Sequence, residues 1–80
     1  MRIKINPDFA ITRFKEGIIL TNINNNQSYH IDNRAYELIK LASGNYVCIN
    51  DLYHSDYPEE EFKSFVTGLI EINFLLVKVF

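Results

Sequence analysis

Five residues in this chain are the candidates for chemistry: His30, Cys48, His54, Ser55 and Asp56. Their spacing gives them little to work with. Neither histidine has a companion cysteine or carboxylate at metal-ligand spacing. His54-Ser55-Asp56 is a contiguous string, and neighbouring side chains on a helix or turn point different ways, so it does not make a triad. Cys48 sits in the apolar stretch "NYVCIN", the setting of an inert thiol. Gly17, Gly44 and Gly68 stand alone, so no glycine-rich phosphate loop is present. The reading is of a chain with no catalytic residues, no metal and no cofactor, and not an enzyme in isolation. What remains is backbone chemistry, and it draws the eye to "QSYHI", residues 27–31, a short and unusually polar strand.

Length and composition bound the rest. Eighty residues make a single domain, residues 1–80, with one core. A chain of this size buries roughly 60–65% of its unfolded surface, for a stability on the order of 5 kcal/mol. Hydrophobic residues are 48% of the sequence, enough to fill that core without disulfides. The N-terminus lacks the apolar heart of a signal peptide, and no apolar run approaches the ~18 residues of a membrane span. A soluble, cytoplasmic protein with no membrane partner is expected. With 8 basic against 10 acidic residues the net charge is −2, which lacks the cationic surplus of a nucleic-acid binder.

The elements that must position residues 27–31 follow from periodicity. "FAITRF" (9–14) alternates as a strand, Lys15-Glu16-Gly17 makes a tight turn in which Gly17 supplies a positive φ, and "IILTNI" (18–23) is a β-branched strand. The asparagines 22–26 turn the chain into "QSYHI". Asp32 caps a helix carrying Ala35, Leu38, Ile39 and Ala42, which Gly44 ends. A second short helix is predicted from Asn50 to about Ser55, with Asn50 as its cap. Pro58 and Glu59–Glu61 open a third, running to about Ile72 with Phe62, Phe65, Val66 and Leu69 as its apolar stripe, and Asn73 stops it. "RIKI" (2–5) and "VKVF" (77–80) are short alternating pieces that could pair with each other or dock on the sheet. The fold class is α+β: a three-stranded antiparallel sheet followed by three helices, a winged-helix-like β3α3 arrangement.

In that meander "QSYHI" is an edge. An edge strand exposes unpaired N–H and C=O groups, which proteins blunt with charge, proline or cover. This one has no proline, lysine or glycine. Tyr29 and Ile31, with Gln27, share one face and can anchor it, while Ser28 and His30 face water. An incoming extended peptide could add a strand here. So could a second copy of the chain, giving a homodimer.

The run "SYHIDNRAYELIKLASGNYVCINDLYHSDYPEEEFKSFVTGLIEINFLL", preceded by "PDFAITRF", resembles the PqqD-like family, the recognition elements of ribosomally made, post-translationally modified peptides. The likeness spans about residues 7–76. It is carried by the strand ending in Ile31, the "AYELIKL" helix, the glycine, the "YP" step and the terminal "NFLL". Asn73 stands where many relatives have glycine. The resemblance implies a non-enzymatic module that binds the leader of a precursor peptide and delivers it to a modifying enzyme or leader peptidase, as in lasso-peptide or quinone-cofactor biosynthesis. The leader would pair with Gln27, Ser28, Tyr29, His30 and Ile31 and lie on the third helix. There the groove is expected beside Val66, lined by either of two flanks: Lys63, Thr67 and Ile70, or Glu61, Gly68 and Ile72. The first is preferred for its cation and its apolar residue, and Arg34 and Lys63 are the charge candidates. The alternative is a small winged-helix module for DNA or protein. For DNA the third helix would lead with three glutamates, where donors to phosphates belong.

Overall fold

The computed structural model describes residues 1–53 and 57–79. Six strands and three α-helices run in the order β1 (Arg2–Ile5), β2 (Phe9–Phe14), β3 (Gly17–Asn22), β4 (Ser28–Ile31), α1 (Asn33–Ile39), β5 (Val47–Cys48), α2 (Ile49–Leu52), α3 (Glu59–Glu71) and β6 (Leu75–Lys78), with a 3₁₀ turn at Lys40–Ala42 after α1. The fold is α+β with antiparallel pairing throughout. The expected single sheet followed by helices is corrected to two three-stranded sheets, ordered β2-β3-β4 and β5-β1-β6.

The meander forms as its alternation dictates. β2 covers the predicted residues 9–14, and Leu20 lies opposite both Ile11 and Tyr29, putting the apolar members of all three strands on one face. The second sheet arises because Arg2–Ile5 pairs with the C-terminal piece, whose strand runs Leu75–Lys78, shifted from the expected 77–80. Ile3 faces Val77 and Ile5 faces Leu75, and Val47 joins Ile3 from the other side. Each piece is too short to hide its backbone alone, so pairing satisfies N–H and C=O groups that burial of Ile3, Ile5 and Leu75 would otherwise strand.

The two sheets share one core. Ile3 and Ile5 from β1, Ile18 and Leu20 from β3, Ile39 from α1, Leu52 from α2, Phe62, Val66 and Leu69 from α3, and Phe74 and Leu75 at the start of β6 are all buried in one cluster. Each such side chain contributes on the order of 1.5–3 kcal/mol by leaving water. The rings of Phe9 and Phe74 meet edge to face, 5.2 Å between centroids. Nearby, the chain crosses from one sheet to the other at Asn6, whose amide donates to the Asn73 carbonyl at 2.9 Å and whose N–H donates to the Phe74 carbonyl at 2.8 Å.

Caps and turns follow local chemistry, with one adjustment, at the start of the second helix. Asp32 caps α1, its carboxylate accepting from the Ala35 N–H at 2.6 Å, and Asn73 ends α3 with φ of +68°. Gly17 has the positive φ expected of it, +159°, a value close to extended backbone. Its lack of a Cβ matters for space, since a methyl there would lie 2.8 Å from the Ile31 carbonyl oxygen and against the His30 ring. The second helix begins at Ile49, with Cys48 at its cap position and no side-chain cap, where Asn50 was expected. Its predicted end at Ser55 lies outside the described residues, as does the His54-Ser55-Asp56 string.

Candidate peptide-binding edge

Strand β4 is held by β3 on one side only, and no strand lies beyond it among the described residues. The direction of its backbone groups follows from the ladder. The Asn22 N–H donates to the Gln27 carbonyl at 2.8 Å, one step past the Thr21–Ser28 pair and in the same register. Bonded and non-bonded pairs alternate along an antiparallel ladder. Leu20–Tyr29 and Ile18–Ile31 are therefore the bonded pairs, and the N–H and C=O groups of Ser28 and His30 point outward. None of these outward groups has a hydrogen-bond partner among the described residues.

Side chains leave that edge accessible. Ser28 and His30 are exposed, while Tyr29 and Ile31 are half-buried against the core, as the alternation requires. The Ser28 hydroxyl shares a 3.0 Å hydrogen bond with Thr21, and the Tyr29 hydroxyl donates to the Gln27 side-chain carbonyl at 2.9 Å. Both contacts hold side chains to the sheet faces and leave the backbone free. The opposite edge of this sheet is different. There the Ile23 N–H donates to the Asp8 carbonyl at 2.9 Å, which by the same alternation turns Phe9, Ile11 and Arg13 outward, and the Phe9 N–H is already used by the Asn6 carbonyl. β2 is thus closed at its start and guarded by a cation, both of which blunt an edge. β4 carries no charged residue at all.

The α3 residues of the predicted site gather elsewhere. Lys63, Val66, Thr67 and Ile70 line a cavity of about 270 Å³ together with Met1 and Ile49. A second cavity of about 230 Å³ continues along α3 past Glu59 and Phe62 to Asn50 and Tyr53, sharing Ile49 and Lys63 with the first. The preferred flank of α3 therefore borders an apolar groove, but its far wall is Met1, just ahead of β1, and α2. No residue of 27–31 lines either cavity. Val66 is almost wholly buried and serves the core first. Lys63 is exposed and paired with Glu59 at 3.2 Å, while Arg34 stands exposed in the first turn of α1.

Met1 and Ile49 went unseen in the sequence because Met1 comes to α3 only through the β1–β5 ladder, where the Ile49 N–H donates to the Met1 carbonyl at 3.2 Å. The described residues hold no cluster of metal-ligating side chains and no helix long and apolar enough to cross a membrane. Comparison of the chain with protein-family models, with curated proteins and with solved structures returns no match.

Proposed function

We propose that this protein binds an extended leader segment of a ribosomally made precursor peptide by adding it as a strand outside β4, and hands it to a modifying enzyme or leader peptidase. The observation that carries this reading is the pair of outward, unpartnered peptide groups at Ser28 and His30 on an uncharged, exposed edge. Two N–H donors and two carbonyls set the register of the incoming chain, and its alternate side chains meet Tyr29 and Ile31 on one face and Ser28 and His30 on the other. The groove beside Lys63, Thr67 and Ile70 is a second contact, for a part of the leader beyond the paired segment. Arg34 and Lys63 are the cations available to acidic leader residues.

The test is a calorimetric titration with the leader of a precursor encoded beside the gene. The expected dissociation constant lies between about 1 μM and tens of nanomolar, about −8 to −10 kcal/mol. Amide shifts should concentrate in residues 27–31 and on the Lys63, Thr67 and Ile70 flank of α3. Shifts confined to residues 9–14 would mean that β2 is the binding edge. Duplex DNA serves as the competing ligand, and tight, salt-sensitive binding of it would favour the winged-helix alternative instead.

A further inference from the structure

The other sheet carries a feature that β4 does not explain. Ile3 and Ile5 point into the core, so alternation places Arg2 and Lys4 on the outer face of β5-β1-β6. Register puts Lys78 of β6 directly opposite Arg2 on that same face. The Tyr46 ring lies across it, with the Lys4 ammonium 5.8 Å and the Lys78 ammonium 5.5 Å from the ring centroid.

This chain has 8 basic residues and a net charge of −2, and it neutralises several of its cations locally. Arg13 and Lys40 both reach Glu37, and Lys63 has Glu59. On the outer face of β1 that does not happen. Among the described residues neither Arg2 nor Lys4 has a carboxylate within ion-pair reach. Lys78 is itself engaged.

We propose that this face docks an acidic, extended segment of a partner protein, at a site separate from the β4 edge. Arg2 and Lys4 are two residues apart on a strand, so their side chains rise about 6.5–7 Å from one another. Alternate side chains of an extended peptide repeat at the same interval, so carboxylates at every second position meet both cations in step. A nucleic acid fits less well. A chain of net negative charge repels a long polyanion, and the two ammonium contacts on Tyr46 take up the ring that base stacking would use.

The test uses a fluorescent hexapeptide of alternating Glu and Thr, the same peptide with Gln for Glu, and an oligothymidylate, each titrated into the intact protein. The acidic peptide should bind, lose affinity as salt is raised, and bind about tenfold more weakly to the Arg2→Gln/Lys4→Gln double variant. His30→Pro should leave it unaffected, which separates this surface from the leader edge. Matched melting curves establish that the double variant folds, and the single Arg2→Gln variant carries the measurement if it does not. Equal binding of the Gln peptide, or no loss in the folded variants, overturns the proposal. So does tighter binding of the oligothymidylate, which makes the face a nucleic-acid surface. A dimer seen by sedimentation and lost in the double variant overturns it in favour of a second copy docking through Glu59–Glu61.

Discussion

Gly17 and Glu37 show how single residues set conditions for the rest. Gly17 ends the β2–β3 turn beside Ile31, where β4 gives way to α1, and a Cβ there would press on the Ile31 carbonyl and the His30 ring. Backbone cannot step aside as a side chain can, so Gly17→Ala should cost about 1–3 kcal/mol, read from urea melts. His30→Ala in the same background should recover part of that loss, because it removes the flexible half of the clash. Glu37 lies on the surface of α1, accepting a hydrogen bond from Lys40 and facing Arg13, whose guanidinium also covers the Tyr36 ring at 5.2 Å. The Lys40 hydrogen bond holds the Glu37 carboxyl below its ordinary value of 4.5; desolvation opposes it, and the charges of Lys40 and Arg13 add lesser help. A depressed folded-state pKa means the contribution is complete above the ordinary value and disappears as pH falls through the lower one. Melts taken from about pH 6 down to about pH 3 should show that loss in the wild type and not in Glu37→Gln, with carbonyl-carbon titration locating the pKa.

At the scale of elements, the decisive fact is which way a strand's backbone faces. Proline removes an N–H. Ser28→Pro and His30→Pro each delete an outward donor that no described residue uses, so both variants should keep the β2-β3-β4 sheet yet bind the leader more weakly. Tyr29→Pro deletes a bond to Leu20 within the sheet and should lower the melting temperature as well. Undiminished affinity in the first two, with the sheet intact by amide exchange, would rule out strand addition at β4. The meander itself was legible in residues 9–31, since β-branched residues, a two-residue turn and an asparagine run agree on one arrangement. β5 was not. Val47 and Cys48 are too few to show a period, and they become a strand only because β1 lies beside them.

The two sheets pack against one buried cluster and should unfold together. Ile3 on β1 and Ile18 on β3 are both fully buried in the same cluster, bridged by Phe74 and Phe9. Local opening of one sheet would therefore strip the other of its packing. Slowly exchanging amides in β1 and β3 should report the same free energy of opening, and separate values would show two independent units. Phe74→Ala, at about 3–5 kcal/mol, removes most of the ~5 kcal/mol expected for a chain of this size and leaves about 0–2 kcal/mol. That variant should melt at a much lower temperature and, at the upper end of the range, be about half unfolded at room temperature by near-ultraviolet circular dichroism.

Sequence alone determined the elements whose signals are local: the three meander strands, the Asp32 cap, the acidic start of α3 and the Asn73 stop. It also marked residues 27–31 as an edge with nothing to blunt it, because composition is visible without coordinates. Tertiary structure decided what depends on partners far along the chain. It built the second sheet from pieces separated by some seventy residues, Ile3 against Val77, and so gave Arg2, Lys4 and Lys78 a common face. It also turned the Lys63 flank of α3 toward Met1 and Ile49, away from the strand expected to share its groove. Periodicity says which residues of a helix lie on one side; only packing says what that side meets.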